Sequence, residues 1–168
     1  AGFQVNMITN GTLLSARKLR SWEGRVCLIG VSIDGKPVTH NRIRGEKGSI
    51  EKISRKLRLI EQSGIPFAIC HCVTRDTMPE IPWLLEYAMS AGAKAIQLHP
   101  LSLSGRASFM PSSSALRPED HTRLFVLSKF LQIQAGENFG VQLDLIDRNE
   151  LDPLQAFQSL YGENPQDQ

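Results

Sequence analysis

The sequence predicts an α/β domain in which parallel strands are covered by helices. Short, β-rich apolar runs recur along the chain, and longer helical patterns that end at glycines lie between them. This repeated order of strand, helix, glycine and strand is typical of parallel strands joined by right-handed crossovers. In such sheets the ligand site lies beyond the carboxyl ends of the strands.

Five runs are expected to be strands because they are apolar, rich in β-branched residues and bounded by turn residues. They are residues 3–9, 26–33, 66–73, 95–99 and 141–145. Residues 50–63 form the clearest helix, with an apolar stripe, Ser49 as the expected N-cap and Gly64 as the stop. Two further helices and a short terminal one are expected over residues 79–91, 118–135 and 153–160.

The composition excludes several classes of protein. The 168 residues carry 19 basic and 17 acidic side chains, so the charge indicates no nucleic-acid partner. The sequence lacks a membrane-length apolar run and a recognisable signal peptide. Three cysteines, Cys27, Cys70 and Cys72, suit a reducing compartment, and a cytoplasmic location is expected. The chain begins without Met in a strand-like run, which predicts a fragment.

Polar groups follow four successive predicted strands. These strand ends read Thr9-Asn10-Gly11, Ser32-Ile33-Asp34-Gly35, Thr74-Arg75-Asp76 and His99-Pro100. Because parallel strands end at the same edge, the sequence predicts one polar rim. Ser32 and Asp34 project to the same side of their strand, and Gly30 leaves space beside them. The alternative is a simple turn at Asp34-Gly35 and a hydrogen-bonded edge hydroxyl at Ser32.

Two segments are interpreted as long loops. Residues 34–48 carry His40, Arg42 and Arg44 ahead of a helix, which is either an anion site or a solvated loop. Residues 100–118 contain six serines and are interpreted as a flexible lid or an irregular connection.

No metal site is expected from the cysteines. Cys70 and Cys72 share one face of a strand while His71 points the other way, so one metal could not take all three. Both cysteines are expected to be buried. His99 is either structural or catalytic, and Asp144 and Asp147 are expected to face solvent or cap a helix.

Taken together, the ordered strand-end motifs resemble the radical S-adenosylmethionine superfamily, and most of all its SPASM branch of peptide-modifying and sulfatase-maturating enzymes. The motifs are Thr9-Asn10-Gly11-Thr12, Val31-Ser32-Ile33-Asp34-Gly35, His40-Asn41-Arg42-Ile43-Arg44-Gly45, Gly48-Ser49, Gly64-Ile65-Pro66, Val73-Thr74, Gly92-Ala93, His99-Pro100-Leu101 and Gly105-Arg106-Ala107. The resemblance implies a (β/α)6 partial TIM barrel, whose third to sixth strands end at Thr9, Ser32, Thr74 and His99. Residues 1–107 would be this partial core. Residues 108–168 would be a lid-like loop and a helix–strand–helix extension of the same domain.

The resemblance also implies the cofactors. In this family a CxxxCxxC loop after the first strand holds a [4Fe-4S] cluster, at which S-adenosylmethionine is cleaved to a 5′-deoxyadenosyl radical in an oxidoreductase-type reaction. Cys27, Cys70 and Cys72 lack this spacing. The cluster and S-adenosylmethionine are therefore expected in the full-length protein, and neither is expected on this chain alone, which is expected to be inactive.

Candidate cofactor-binding residues follow from the same resemblance, which implies no catalytic or metal-binding residue here. Ser32 and Asp34 would lie near the ribose or methionine part of S-adenosylmethionine, and Arg44 would pair with its carboxylate. Asn10 would face the cavity. The residues bordering the adenosyl group would be Thr74, His99 and Leu101.

Two other functions remain open, and so does the partner. One is a phosphate-binding α/β-barrel enzyme that uses Arg42, Arg44 and Gly48-Ser49, and the other is a non-catalytic α/β binding module. The substrate is unknown, with a peptide or protein as the candidate, and neither nucleic acid nor membrane is expected. Loss of two barrel strands would leave the strand ending at Thr9 unpaired, which predicts a homodimer through that sheet edge.

Overall fold

The computed structural model describes residues 3–144, and it contains the predicted parallel sheet. The strands are β1 (Asn6–Thr9), β2 (Leu28–Ser32), β3 (Phe67–Val73), β4 (Ala95–Pro100) and β5 (Gly140–Leu143). They pair in that order, and every pair is parallel. All five predicted strands are present, with ends that differ by a few residues. Leu145, the predicted end of the last strand, lies outside the described residues, as do Asp147 and the predicted helix over residues 153–160.

The α-helices between these strands are α1 (Ala16–Trp22), α2 (Pro37–Arg44), α3 (Ser49–Ser63), α4 (Ile81–Ser90) and α5 (Pro118–Ala135). The three internal helices that the sequence predicts are α3, α4 and α5. A 3₁₀ turn at Met78–Glu80 occupies the predicted start of α4, and the segment before α5 contains 3₁₀ turns at Gly105–Phe109 and Ser112–Ser114. The α/β prediction is therefore confirmed.

The predicted long loop over residues 34–48 is wrong, because α2 occupies most of it. Pro37 stands at the first position of this helix, where its fixed φ suits helix entry, and Gly45 ends it in the left-handed region at φ 66°. The helix α1, capped by the Ser15 hydroxyl that accepts from the Lys18 N–H at 3.3 Å, was also not predicted.

The expected N-cap of α3 is also wrong. The helix begins at Ser49, and Gly48 is its N-cap with φ 78°. The Ser49 hydroxyl, buried at 2% exposure, lies 3.3 Å from Nε2 of His40 instead of capping the helix. The apolar stripe of α3 is buried as predicted, at Ile50, Ile53, Leu57 and Ile60.

The strand order places the helices on one side of the sheet. Because sequential parallel strands are joined by crossovers of the same hand, each connecting helix lies on the same face. Adjacent helices accordingly contact each other, α1 and α2 with α3, and α4 with α5. Beneath them the sheet residues are fully buried at Ile29, Val31, Ile69, Ile96 and Leu98.

The other side of the sheet, which we call the open face, is formed by the alternate strand positions. By register, these are Asn6, Ile8, Leu28, Gly30, Ser32, Ala68, Cys70, Cys72, Ala95, Gln97, His99, Gly140 and Gln142. In residues 3–144, no connecting helix covers it by this topology. Within the same range, no helix is long and apolar enough to cross a membrane.

The strand β1 lies at an edge of the sheet, and Ile8 on this strand is 68% exposed. Because an unpaired strand edge can pair with another chain, we expect the chain to self-associate through β1. Changing Ile8→Lys should weaken dimerisation about tenfold or more in sedimentation equilibrium, since the added charge opposes edge pairing. The control Ile133→Lys changes an exposed residue of α5 and should leave it unaltered. A monomer at every concentration, or equal effects of both changes, would count against the edge interface.

Candidate functional site

The carboxyl ends of β1 to β4 meet at one rim of the sheet. Thr9 pairs with Val31, Ser32 with Cys70, and Cys72 with His99. The structure therefore brings together the strand ends that carry Asn10, Ser32, Thr74 and His99. Leu101 joins this rim through its backbone N–H, which donates to the Val73 carbonyl at 2.9 Å.

Two of the sequence-predicted residues, Asp34 and Arg44, are paired with each other. Asp34 is 7% exposed, and its Oδ2 lies 2.6 Å from Nε of Arg44, while Nη2 of Arg44 donates to Oδ1 at 3.2 Å. Arg44 belongs to α2, which folds back over the end of β2. A guanidinium group has five N–H bonds, so this side-on pairing leaves three that do not engage Asp34. A carboxylate ligand could still bind those donors.

His40 is fully buried beside this pair and holds the backbone at Asp34. The Asp34 N–H donates to Nδ1 of His40 at 3.0 Å, which assigns the ring proton to Nε2, the nitrogen facing the Ser49 hydroxyl. Burial lowers the pKa of His40, against the opposing effect of Asp34, so the ring is neutral at pH 7. The 3.4 Å approach of Nδ1 to Oδ2 of Asp34 is consequently not an ion pair.

Glu80, the last residue of the 3₁₀ turn that follows β3, fixes the start of α2. Its Oε2 accepts from the Lys36 N–H at 2.6 Å, and its Oε1 accepts from the Thr39 hydroxyl at 2.7 Å. Gly35 has φ 134°, and a Cβ at this position would overlap Oε2 of Glu80. Sequence reasoning missed Glu80, because its partners lie more than forty residues away along the chain.

The other side chains at the rim differ in whether they already have hydrogen-bond partners. Thr74 exchanges hydrogen bonds with Thr77, and Asn10 accepts from Thr12, so both stabilise their own turns. Ser32 is different, because its hydroxyl has no hydrogen-bond partner in residues 3–144. It therefore remains available to a ligand on the open face.

His99 and Asp144 extend the rim toward β5. His99 Nδ1 lies 3.4 Å from Oδ2 of Asp144, and both side chains are substantially exposed. Asp144 thus faces solvent, as one of its two predicted roles requires. Exposed ion pairs contribute little to stability. The His99–Asp144 pair is therefore of interest as a polar group beside the open face, where a ligand could contact it.

The cysteines only partly match the prediction. Cys70 is buried and donates its S–H to Oε1 of Gln97 at 3.1 Å, but Cys72 is exposed, so the expectation that both are buried is wrong. Desolvation raises the pKa of both thiols and keeps them protonated at neutral pH. In the part of the chain that the structure describes, no group of His, Cys, Asp or Glu residues could hold a metal ion.

The anion site considered for residues 34–48 is not assembled. The Ser49 hydroxyl is buried against His40, the Ser49 N–H donates to the Glu46 carbonyl at 3.3 Å, and Arg42 is exposed on α2, so these groups do not join Arg44 in one anion site. The geometry therefore gives no support to a phosphate held by these residues together.

Several known proteins have sequences similar to this chain. No protein-family model matches the chain. The chain is 24% identical over 168 residues to the Fe-coproporphyrin III synthase of Methanosarcina barkeri, covering 98% of this chain and 41% of the relative. It is 31% identical over 108 residues to the AdoMet-dependent heme synthase of Oleidesulfovibrio alaskensis, covering 63% of this chain and 28% of the relative.

Solved structures share the fold. The anSMEcpe protein with bound AdoMet and Cp18Cys peptide has a TM-score of 0.63 and 21% identity, covering 82% of this chain and 40% of that chain. Streptococcus suis SuiB has a TM-score of 0.67 and 11% identity, covering 92% of this chain and 34% of that chain. This chain therefore spans less than half the length of the proteins it resembles.

Proposed function

Since the chain belongs to the radical S-adenosylmethionine superfamily, we propose that it contributes part of the wall that holds S-adenosylmethionine in a longer enzyme. The curated relatives are members of that family, and the solved neighbours are radical S-adenosylmethionine partial TIM barrels. The observation that carries the proposal is the polar rim, where Ser32, Asp34 and Arg44 border a sheet face that, in residues 3–144, no connecting helix covers.

These residues suit a zwitterionic nucleoside. The Ser32 hydroxyl, which has no hydrogen-bond partner in residues 3–144, can bind the ribose or methionine part, and the N–H groups of Arg44 that do not engage Asp34 can bind the carboxylate. Asp34 orients Arg44, while His40 and Glu80 hold the segment that carries both. The proposed adenosyl boundary is formed by Thr74, His99 and Leu101, with Asn10 at the far end of the rim.

The cysteines of this chain do not fit an iron–sulfur cluster. Cys70 is buried against Gln97, and Cys27 and Cys72 form no metal-binding group within residues 3–144. In this proposal the cluster ligands come from another part of the enzyme. When bound, S-adenosylmethionine supplies the adenosyl group for radical chemistry, and this chain's role is to position it. The three free thiols favour a reducing, cytoplasmic setting.

Ser32 provides the direct test. In the natural polypeptide that contains this chain, Ser32→Ala should weaken S-adenosylmethionine binding about five- to tenfold in equilibrium dialysis, since one hydrogen bond is lost. The control Ser90→Ala removes a hydroxyl at the end of α4, whose bond is to its own helix, and should not alter binding. Equal affinity in the wild-type and Ser32→Ala proteins would contradict the proposed wall.

The natural polypeptide also serves to distinguish a radical S-adenosylmethionine enzyme from a non-catalytic binding module. After anaerobic reconstitution, the enzyme should develop a broad iron–sulfur absorption band and bind S-adenosylmethionine. A protein that does neither would favour the binding module instead.

A further inference from the structure

We infer that two buried histidines, His40 and His71, are positioning residues that hold one peptide group at the carboxyl end of β2. This peptide group joins Ile33 to Asp34, and it sets the direction in which Asp34 leaves the strand. We call the two side chains the histidine clamp. The inference rests on the proposed function, because a fixed Asp34 affects S-adenosylmethionine only if Arg44 binds the ligand. It goes further by giving a role to His71, which faces the helix side of the sheet.

The peptide group between Ile33 and Asp34 is bound from both sides by side chains. Its C=O and N–H point in opposite directions, because the peptide bond is trans. The Ile33 carbonyl accepts from Nδ1 of His71 at 2.9 Å. The Asp34 N–H donates to Nδ1 of His40 at 3.0 Å. Since His71 belongs to β3 and His40 to α2, the peptide group is held between the sheet and a helix.

These two bonds require opposite tautomers of the two imidazoles. A carbonyl oxygen only accepts, so Nδ1 of His71 carries the ring proton, whereas Nδ1 of His40 must accept and carries none. Burial lowers the pKa of both histidines, so both rings are neutral at pH 7. Each ring therefore offers at Nδ1 the one function that its side of the peptide group needs.

The surroundings of Ile33 make the bond to His71 hard to replace. Ile33 is fully buried, and its N–H already continues the ladder by donating to the Cys70 carbonyl at 3.0 Å. Loss of the imidazole would remove a hydrogen bond from a carbonyl that water does not reach. The peptide group would then turn to find another donor, and the backbone at Asp34 would turn with it.

His71 acts through one nitrogen only. Its side chain is almost completely buried, and Nε2 has no hydrogen-bond partner in residues 3–144. A buried acceptor without a partner costs free energy, so the ring is a poor choice at this position unless the bond from Nδ1 is needed. An asparagine here could donate from the same place, because its Nδ2 is bonded to Cγ as Nδ1 is, and it would lack the unpartnered nitrogen.

The histidine clamp reaches the ligand through Asp34. Oδ2 of Asp34 lies 2.6 Å from Nε of Arg44, so the direction of this carboxylate decides where the guanidinium group is held. A rotation of the preceding peptide group would move the Asp34 side chain and with it Arg44. A clamped peptide group therefore keeps the proposed carboxylate-binding donors in place before the ligand arrives.

Variants of His71 test the clamp in the natural polypeptide, by equilibrium dialysis with S-adenosylmethionine. His71→Leu removes the donor and should raise the dissociation constant about fivefold or more. His71→Asn keeps an N–H next to Cγ and should stay within about twofold of the wild type, whereas His71→Gln moves the N–H one bond further and should behave like His71→Leu. The control Ile69→Val changes the same buried face of β3 without touching the peptide group and should leave affinity unchanged.

A double variant tests whether His71 acts through Asp34. In the Asp34→Ala protein, adding His71→Leu should lower the affinity by less than about twofold, because the side chain that the clamp orients is already absent. If the two losses instead multiplied, His71 would not act through Asp34. If His71→Leu does not fold, the comparison of His71→Asn with His71→Gln decides, and equal affinities of these two variants would overturn the inference.

The tautomers give a readout that does not depend on the ligand. In the natural polypeptide labelled with ¹⁵N-histidine, long-range ¹H–¹⁵N correlation spectra at pH 7 should show the ring proton on Nδ1 of His71 and on Nε2 of His40. The same tautomer in both rings, or an equal loss of affinity in Ile69→Val and His71→Leu, would overturn the inference. Full affinity in His71→Leu together with weakened binding in Ser32→Ala would remove only the clamp, whereas unchanged binding in Ser32→Ala would contradict the proposed function itself.

Discussion

Gly35→Ala should destabilise the domain by about 3 kcal/mol. Alanine at φ 134° costs about 1–3 kcal/mol, since this region suits only glycine. The new Cβ would also displace the Glu80 carboxylate, which would lose its bonds to the Lys36 N–H and the Thr39 hydroxyl. These are hydrogen bonds to a charged acceptor, so their loss adds about 1–3 kcal/mol. Urea unfolding of the wild type and the variant measures the difference.

Two further variants separate the backbone strain at Gly35 from the overlap of the new Cβ with the Glu80 carboxylate. Gly24→Ala introduces alanine at φ 67° where no atom lies within 4 Å of the new Cβ, so it should cost only about 1 kcal/mol. The double variant Gly35→Ala with Glu80→Ala should be less destabilised than the sum of the single changes, because the overlap is absent. Equal losses in Gly24→Ala and Gly35→Ala would show that Glu80 does not constrain this turn.

Asp34→Ala should have the largest effect on the site, with a loss of about 2 kcal/mol in stability and at least a tenfold loss in S-adenosylmethionine affinity. Removing one member of a buried pair leaves the other without its partner, which costs about 3–5 kcal/mol when both are buried. Arg44 is 33% exposed and can regain water, so the smaller value applies. The affinity falls because Arg44 is no longer oriented toward the rim.

The conservative variant Asp34→Asn tests whether the Asp34 side chain acts on Arg44 through its negative charge or through its size and hydrogen bonding. Asparagine keeps the size of the side chain and an acceptor for Arg44, so stability should fall by less than in Asp34→Ala. The stabilities come from urea unfolding of both variants, and the affinities from equilibrium dialysis of the natural polypeptide. If S-adenosylmethionine bound equally to wild type and Asp34→Ala, then the Asp34–Arg44 pair would have a purely structural role.

The strands can be predicted well from the sequence because the pattern that marks a strand lies within a few consecutive residues. Each strand of the sheet is an apolar run between turn residues, and its burial on the helix side follows from that pattern. The helix α3 is equally clear, since its apolar stripe and Gly64 both mark it. In contrast, α2 buries His40, a polar residue, so the apolar periodicity that reveals α3 is absent from it.

The site was predictable in part for the same reason. Ser32 and Asp34 follow a strand and so stand out, and their common rim follows from parallel order. The pairing of Asp34 with Arg44 requires α2 to fold back, and the bonds of Glu80 cross more than forty residues. His71 had a usable signal, since it is a polar residue on the buried side of a predicted strand, but its bond to the end of β2 depends on the register of β2 and β3.

The most direct test is a crystal structure of the natural polypeptide with S-adenosylmethionine bound. We predict that the ligand lies on the open face at the carboxyl ends of β1 to β4, with a hydrogen bond to the Ser32 hydroxyl and its carboxylate on Arg44. A ligand bound at the helix-covered face, or at another part of the molecule without contact to Ser32, Asp34 or Arg44, would contradict the proposed wall.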